Sequence, residues 1–306
     1  MIPFKTILVA CDFPAPAHHA MHRAALLASQ HGAGLSLLHV VDPARAAFAA
    51  RPRDTLQRMA DALKARHGVT AATQCRPGDL FEELLRASAQ ADLLVLGQRP
   101  RSPLADLFFG RVMRRLVQAM RRPLLVVRQP AEGAYRRALV PVDFTPASDA
   151  ATLVAVSLAP MPELHLLHAM RSQREAVMRD ADVPEHVIRE SRLMEEAGAT
   201  ARMRRQAARL GLGGLPMTFA LAHGPALRST LRHARAVQAA PLVAGRQARS
   251  TLAALLLGSF GSRLLSGSGC DLLLVPSLRR EAPPIAASAP ANWLHATARF
   301  MSRRTS

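Results

Sequence analysis

The stretch ILVACDF at residues 7–13 is a short apolar run that ends in an acid, and the chain repeats this pattern as ALVPVDF at residues 138–144. Three further pairs of segments match in the same order along the chain: 37–40 with 166–169, 92–97 with 241–245, and 122–127 with 270–275. A repeat of this length indicates a duplicated domain rather than a short solenoid unit. The sequence therefore predicts two diverged copies of one domain, fused head to tail.

Each copy alternates short apolar runs with segments of helical periodicity. The runs lie near residues 5–11, 35–41, 69–75, 92–97 and 124–128 in the first copy, and near 137–142, 163–169, 215–222, 241–245 and 271–275 in the second. They are continuous, which is typical of parallel strands buried on both faces. One helical segment presents an apolar face formed by Val112, Met113, Leu116, Val117 and Met120. The alternation predicts an α/β fold with two tandem, doubly wound, five-stranded parallel sheets.

The domain boundaries follow from the same pattern. We expect one domain over 1–130, a second over 136–278, and a basic Ala/Pro-rich tail over 279–306. The linker, 129–136, is short, so the two domains should pack against each other. Residues 281–291 have the composition of a disordered segment. The residues that follow, among them Trp293, Leu294, Phe300, Met301 and several arginines, fit either a frayed or self-docked tail, which we favour, or a basic amphipathic helix that touches a membrane or partner.

The strong positive charge is the second conspicuous property of the chain. The formal net charge is +18, and of the 40 basic residues only Lys5 and Lys64 are lysines. The arginines are scattered over expected solvent faces of helices, and only 4% of residues are aromatic, so few bases could stack. Nucleic-acid binding is therefore not favoured. Apart from the tail, a membrane role is not favoured either, since no apolar run approaches the roughly 20 residues of a membrane span.

The cysteines indicate the compartment. Cys11, Cys75 and Cys270 are an odd number without a CxxC pair, which fits a reducing environment and a cytoplasmic protein. The residues before Cys11 resemble a lipoprotein cleavage box, but the apolar run is too short for a signal segment. We interpret it as the first strand.

Two landmarks in each copy fall where parallel sheets bind ligands, at the carboxyl ends of the strands. The first is the acid after strand one, Asp12 or Asp143, which can accept a hydrogen bond from an adenine amine or ribose hydroxyl, or can cap the next helix. The second follows strand four. In the second copy, Gly245 lets the chain leave the strand tightly, and Gly258 and Ser259 open a helix whose N–H groups suit a phosphate.

These residues resemble the signature of the universal stress protein family, which reads Gly, two residues, Gly, nine residues, Gly, then Ser or Thr. The second copy matches at Gly245, Gly258 and Ser259 but has Ala248 in place of the second glycine. The first copy matches at Gly97 and Gly110 but has Pro100 and Arg111 at the other two positions. The resemblance spans about residues 3–278, so only the tail lies outside it.

The resemblance implies a Rossmann-like fold of the adenine-nucleotide alpha-hydrolase type. It also implies that the last strands, 124–128 and 271–275, pair to make a dimer-like unit within one chain. Some family members bind ATP, so the implied ligand is ATP or another adenine nucleotide, with Mg²⁺ as an accompanying ion. The implied site comprises, in the second copy, Val142, Asp143, Ala169, Ala244, Gly245, Ala248, Gly258, Ser259 and Phe260, and more weakly, in the first copy, Asp12, Gly97, Gly110 and Arg111.

The departures from the signature separate the two copies. Pro100 removes an N–H and the freedom to adopt positive φ, and Arg111 removes the small hydroxyl at the helix start. Ala248 is milder, since it keeps its N–H and is small. We therefore expect the second copy to bind nucleotide and the first copy not to bind it.

The expected function is stress-linked nucleotide binding and sensing. There is no Walker lysine and no nucleophile–base arrangement that sequence alone supports. Two alternatives stay open: an interaction module that has lost its ligand, and a slow ATPase or other nucleotide-using enzyme. A homodimer of the whole chain is also left open.

The histidines are the remaining candidates for chemistry. His18 and His22 are four residues apart beside His19, which allows a metal pair, but no third ligand has matching spacing, so we expect a solvated helix face. His165 and His168 should point to opposite faces of a strand. His39 and His168 occupy equivalent positions in the repeat, and we expect both to be structural.

Overall fold

The computed structural model describes residues 4–11, 15–43, 50–97, 112–113, 115–159, 162–170, 173–246 and 269–276. The strands are β1 (Thr6–Ala10), β2 (Gly34–Val41), β3 (Ala71–Pro77), β4 (Leu93–Gly97), β5 (Leu124–Val127), β6 (Arg137–Pro141), β7 (Glu163–Met170), β8 (Met217–His223), β9 (Leu242–Arg246) and β10 (Leu272–Pro276). The helices are α1 (Ala15–His31), α2 (Ala50–His67), α3 (Leu80–Ser88), α4 (Pro146–Val156), α5 (Gln173–Asp180), α6 (Glu185–Arg209) and α7 (Ala226–Ala236). Residues 115–119 form a further helical turn.

The strands form one ten-stranded sheet in the order β3-β2-β1-β4-β5-β10-β9-β6-β7-β8. Strands β1–β5, here called the first half, are parallel to one another, and so are β6–β10, the second half. The two halves meet where β5 and β10 pair antiparallel, with Leu125 opposite Leu273. The order of one half is the reverse of the other, as a local twofold axis requires. This arrangement confirms the predicted parallel α/β fold and the pseudo-dimer within one chain.

The sheet is buried on both faces because helices cover each side. Leu27 of α1, Leu56 of α2, Ala151 of α4 and Met203 of α6 belong to one apolar cluster. The second cluster contains Leu84 of α3, Leu227 of α7, and Leu116 of the helical turn at 115–119. Both clusters consist mainly of aliphatic side chains, with Phe4, Tyr135 and Phe81 as buried aromatic members. The predicted apolar face at residues 112, 113, 116, 117 and 120 is buried throughout.

Every strand except the third of each half agrees with the sequence prediction to within one residue at both ends. The third strand of each half begins two residues later than expected, at Ala71 and at Met217. The reason is that Val69 and Leu215 are apolar because they pack against the core just before the strand starts. The longest described helix, α6, is rich in charged residues and spans Glu185–Arg209.

A buried polar cluster fills the junction between the halves and explains why the short linker is packed. Asp271, 1% exposed, accepts hydrogen bonds from the backbone N–H groups of Arg128 (2.7 Å) and Gln129 (3.2 Å) and from the Tyr135 hydroxyl (2.6 Å). The Nε atom of Arg23 lies 3.7 Å from Asp271, and its guanidinium lies 3.9 Å from the centre of the Tyr135 ring. Burial, and then the nearby Asp271 carboxylate, raise the pKa of Tyr135 well above its usual value. Arg23 is thus an exception to the expectation that the arginines lie on solvent faces.

Several predictions fall on parts of the chain outside the described residues. They concern the disordered segment 281–291 and the tail residues that follow it. In the described part of the chain, no helix combines the length and apolar character that crossing a membrane requires.

Candidate functional site

The site predicted from the sequence lies where the direction of the strand connections changes. In the second half, β6 pairs with β7 on one side and with β9 on the other, through Leu139 and Leu242. Parallel strands end at the same edge of the sheet, so Asp143, two residues beyond β6, and Gly245, near the end of β9, lie at one edge. Sheets of this type bind ligands in the crevice at such a switch point.

Asp143 is exposed, and only one of its carboxylate oxygens is engaged within the described residues. Its Oδ1 atom accepts hydrogen bonds from the backbone N–H (3.2 Å) and the hydroxyl (2.6 Å) of Thr145. Thr145, rather than Asp143, is the N-cap of α4, and it forms a capping box with Ser148. Asp143 therefore supports the cap through one oxygen, and its Oδ2 atom remains available to accept a hydrogen bond from a ligand.

Equivalent histidines hold the strand ends in both halves. The Nδ1 atom of His168 lies 2.8 Å from the carbonyl oxygen of Val142, and that of His39 lies 2.7 Å from the carbonyl oxygen of Cys11. A carbonyl only accepts, so each Nδ1 carries the proton and donates it. Both bonds tie the second strand of a half to the residue just after its first strand. The predicted structural role of His39 and His168 is confirmed.

Gly245 is required by close packing. A Cβ atom at this position would overlap the carbonyl group of Ala147 and lie 2.9 Å from the backbone nitrogen of Ser148. The end of β9 therefore approaches the first turn of α4 more closely than any side chain permits. This contact gives Gly245 a packing role in addition to the tight exit from the strand that the sequence predicts. Sequence could not reveal the contact because it joins segments about 100 residues apart.

The other predicted residues of the second half divide into two groups. The side chains of Val142 and Ala244 are buried in the core, so only their backbone atoms can face a ligand. Ala169 is partly exposed at the same edge. The predicted residues Ala248, Gly258, Ser259 and Phe260, together with Asp12, Gly110 and Arg111 of the first half, lie outside the described residues.

The first half contains a cavity of about 590 Å³ at the equivalent edge. Its walls include Leu38, Leu84, Leu96, Val112, Met113 and Leu116, and its lining also includes Cys11, His39 and Gly97. Two acids, Asp42 and Asp79, lie at its rim and are exposed. The sequence analysis missed both, although each follows a strand, after β2 and after β3, and so could have been placed at this edge.

The prediction for His22 was wrong. His22 is half buried, and its Nδ1 atom lies 2.9 Å from the Nε2 atom of His67, which comes from α2. Burial, and then the charge of Arg66, lower the pKa of both imidazoles. The described residues contain no group of three or more side chains placed to hold a metal ion. None of the three cysteines, all of which are among the described residues, forms a disulfide.

Comparisons with known proteins agree with this geometry. A curated universal stress protein of Mycolicibacterium smegmatis is 30% identical over 166 residues, which are 48% of this chain and 56% of the relative, so the match spans little more than half of that protein. The solved universal stress protein of Archaeoglobus fulgidus has a TM-score of 0.66 at 16% identity and covers 89% of this chain and 96% of its own. A universal stress protein solved in complex with cAMP is 22% identical, covers 42% of this chain and 98% of its own, and has a TM-score of 0.36; cAMP is that protein's ligand.

The match to the family itself extends over both halves of the sheet. The sequence model of the universal stress protein family matches residues 3–128 and again residues 134–276. The chain belongs to the universal stress protein family, in a tandem form with two copies of the family domain.

Proposed function

We propose that this protein binds an adenine nucleotide, ATP or a relative of it, in its second half, as a sensor in a stress response. The observation that supports this most directly is the position of Asp143. Its exposed carboxylate has a spare oxygen at the switch point of the sheet, beside the end of β9. That oxygen suits the amine of adenine or a hydroxyl of ribose.

The phosphate end of the ligand would use the signature residues that follow β9. The sequence pattern predicts that Gly258 and Ser259 open a helix, where their backbone N–H groups and the Ser259 hydroxyl would suit a phosphate. A bound triphosphate would bring Mg²⁺ as its own counter-ion. Because the sequence contains no Walker lysine and by itself supports no nucleophile–base arrangement, we propose sensing rather than turnover. An ATPase activity would be slow.

The first-half cavity supports a second candidate site. Its volume of about 590 Å³ lies within the range of small-molecule pockets, and its walls are largely apolar, as a base ring requires. The acids at its rim, Asp42 and Asp79, would repel a triphosphate that lay against them. The cavity therefore suits an uncharged nucleoside portion better than the phosphates, which leaves the second half as the favoured nucleotide site.

Calorimetric titration of the full chain with ATP and Mg²⁺ tests the proposal. We expect one site per chain, abolished in Gly258→Asp and retained in the matched first-half variant Gly110→Asp. Gly245 is not suitable for this test, because its replacement would disturb the packing of α4. Loss in Gly110→Asp alone would move the site to the first half.

A folded protein that binds no ATP would instead favour an interaction module without nucleotide, and rapid release of phosphate from ATP would favour an enzyme.

The proposal also covers the domain boundaries and the compartment. We propose that residues 1–130 and 136–278 are the two domains, and that the protein works in the cytoplasm, where its three free cysteines would stay reduced.

A further inference from the structure

A second cavity, of about 290 Å³, lies beside the end of β6 in the second half. It is lined by Phe144, Arg202, Arg205, Gln206 and Arg209. Phe144 packs against the apolar cluster of α1, α2, α4 and α6, whereas the walls of the first-half cavity belong to the cluster on the other face of the sheet. The arginine cavity, as we call it, is therefore not the counterpart of the first-half cavity.

The charges in the arginine cavity do not balance. One nearby carboxylate, Asp149, is already shared: its Oδ2 atom lies 2.7 Å from Arg209 Nη2, and its Oδ1 atom accepts a hydrogen bond of 2.6 Å from Gln206 Nε2. Arg202 and Arg205 form no ion pair within the described residues, and both are exposed. Two uncompensated guanidinium groups that line one cavity repel each other, and an anion between them would relieve that repulsion.

The arginines are held in place rather than simply carried on a surface. The guanidinium of Arg202 lies 4.0 Å from the centre of the Phe144 ring, which itself packs 4.6 Å from the ring of His168. Phe144 has a φ of 61°, a left-handed conformation that costs a bulky residue free energy and that the surrounding contacts must stabilise. An arginine stacked on an aromatic ring keeps its N–H groups free at the edge of its plane, where they can bind phosphate oxygens.

Gln206 contributes a second unusual feature at the base of the cavity. Gln206 is buried, with a relative exposure of 5%. Because the Asp149 carboxylate only accepts hydrogen bonds, the amide atom that faces it must be the nitrogen. Its Oε1 atom has no hydrogen-bond partner within the described residues. Buried amide oxygens are nearly always paired, so this one marks an incomplete polar environment beneath the cavity.

The corresponding helix of the first half packs in the same way but does not carry the same arginines. The buried positions of the two helices share one spacing: Leu56, Ala60 and Leu63 in α2, and Ala199, Met203 and Gln206 in α6. With these positions matched, Arg202 and Arg205 stand where α2 has Met59 and Ala62. The fold therefore requires arginine at neither position, and of the three arginines that line the cavity only Arg209 has a basic counterpart in α2, Arg66.

We propose that the arginine cavity binds the phosphoryl group of a small phosphorylated molecule, at a site separate from the nucleotide site. The concave shape and the clustering of Arg202, Arg205 and Arg209 on one side of α6 suit a compact dianion. A nucleic acid would need a longer basic stripe and aromatic side chains for stacking. Phosphate binding in the arginine cavity would not require a nucleotide at the proposed site formed by the residues that follow β9.

Calorimetric titration of the full chain with inorganic pyrophosphate tests this site. We expect saturable binding of one pyrophosphate per chain, weakened at least tenfold in Arg202→Gln/Arg205→Gln. Arg204→Gln is the matched control, since Arg204 is exposed on the same helix but does not line the cavity. Glutamine keeps much of the side-chain length, and circular dichroism checks that each variant is folded.

Binding that survives in Gly258→Asp and Arg204→Gln supports the proposal and separates it from the nucleotide site. Three results would overturn it: no saturable heat with pyrophosphate, an equal loss in Arg204→Gln, or a loss in Gly258→Asp. Binding of a duplex DNA oligonucleotide that depends on Arg202 and Arg205, without binding of pyrophosphate, would also overturn it in favour of nucleic acid.

Discussion

The two halves of the sheet share a framework and differ in the side chains around its edges. Both halves have the same strand order and apolar clusters. In both, a histidine of the second strand also donates a hydrogen bond to the carbonyl group of the residue just after the first strand. At the carboxyl ends of the strands the first half has a largely apolar cavity with two acids at its rim, and the second half has a cavity lined by three arginines. These two cavities lie on opposite faces of the sheet, so the halves share the framework of the fold but not the side chains that surround their strand ends.

The helix contacts on one face of the sheet diverged in the same way. In the first half, α1 and α2 meet through His22 and His67. In the second half, α4 and α6 meet through Asp149, which binds both Gln206 and Arg209. One contact therefore contains two imidazoles and the other an ion pair, so the halves should respond differently to pH.

The junction is asymmetric as well. Asp271, which binds the linker, stands in the repeat where the first half has Pro123. The first half has its own carboxylate before a strand, Asp92, whose Oδ2 atom accepts hydrogen bonds from the backbone N–H groups of Lys5 (2.8 Å) and Thr6 (3.1 Å). Asp92 is half exposed, whereas Asp271 is buried.

Replacement of Asp271 should have the largest effect on stability. Asp271→Ala leaves the buried Arg23 without its anionic partner and removes the acceptor for Tyr135, and breaking such a buried pair costs about 3–5 kcal/mol. The free energy of unfolding in urea measures the effect. Asp92→Ala, which removes similar backbone bonds in a half-exposed place, should cost about 1 kcal/mol. Equal losses in the two variants would show that burial of the junction contributes little.

Replacement of Gly245 should have the next largest effect. In Gly245→Ala the new Cβ atom meets the backbone of Ala147, so α4 must shift, at a cost of about 1–3 kcal/mol. Thermal unfolding measures the loss. The control is Gly198→Ala in α6, where no atom lies within 4 Å of the added carbon and alanine should stabilise the helix by about 1 kcal/mol. Unchanged stability in Gly245→Ala would mean that β9 and α4 move apart easily.

The sequence was sufficient for the parts of the structure that rest on local pattern and repetition. Continuous apolar runs located the strands, the ordered matches between the copies predicted the duplicated domain, and the resemblance to the universal stress protein family implied the pseudo-dimer. The contacts that define the sites were beyond reach because they join distant segments. Examples are the approach of Gly245 to Ala147, and the stacking of Arg202 on Phe144.

The histidine pair shows the same limit in a single residue. His22 has helical spacing to His18 and no visible partner nearby in the sequence, so the pattern favoured a solvated face. Its actual partner, His67, is 45 residues away on another helix. Asp42 and Asp79 are different, since their positions directly after strands carried a signal that sequence analysis could have used.

Acid should loosen the contact between α1 and α2 before the contact between α4 and α6, which is the smallest of the three effects. A neutral imidazole pair has one donor and one acceptor, and protonation of both rings removes the acceptor and brings two cations together beside Arg66, His18 and His19. Both pKa values are lowered in the folded state, so the unfolded state binds protons more readily. The pair's contribution to the free energy of unfolding is on the order of 1 kcal/mol. It is complete above the unfolded pKa of about 6.5 and is lost as the pH falls through the folded pKa values.

Hydrogen exchange of the α1 and α2 amides between pH 7 and 5 measures this loss. The α4 and α6 amides are the internal reference, since the contact between those two helices offers no imidazole to protonate. In His67→Gln the selective loosening should disappear, and in His186→Gln, an exposed histidine of α6, it should persist. Equal loosening of both halves in the wild-type protein would contradict the assignment of acid sensitivity to this pair.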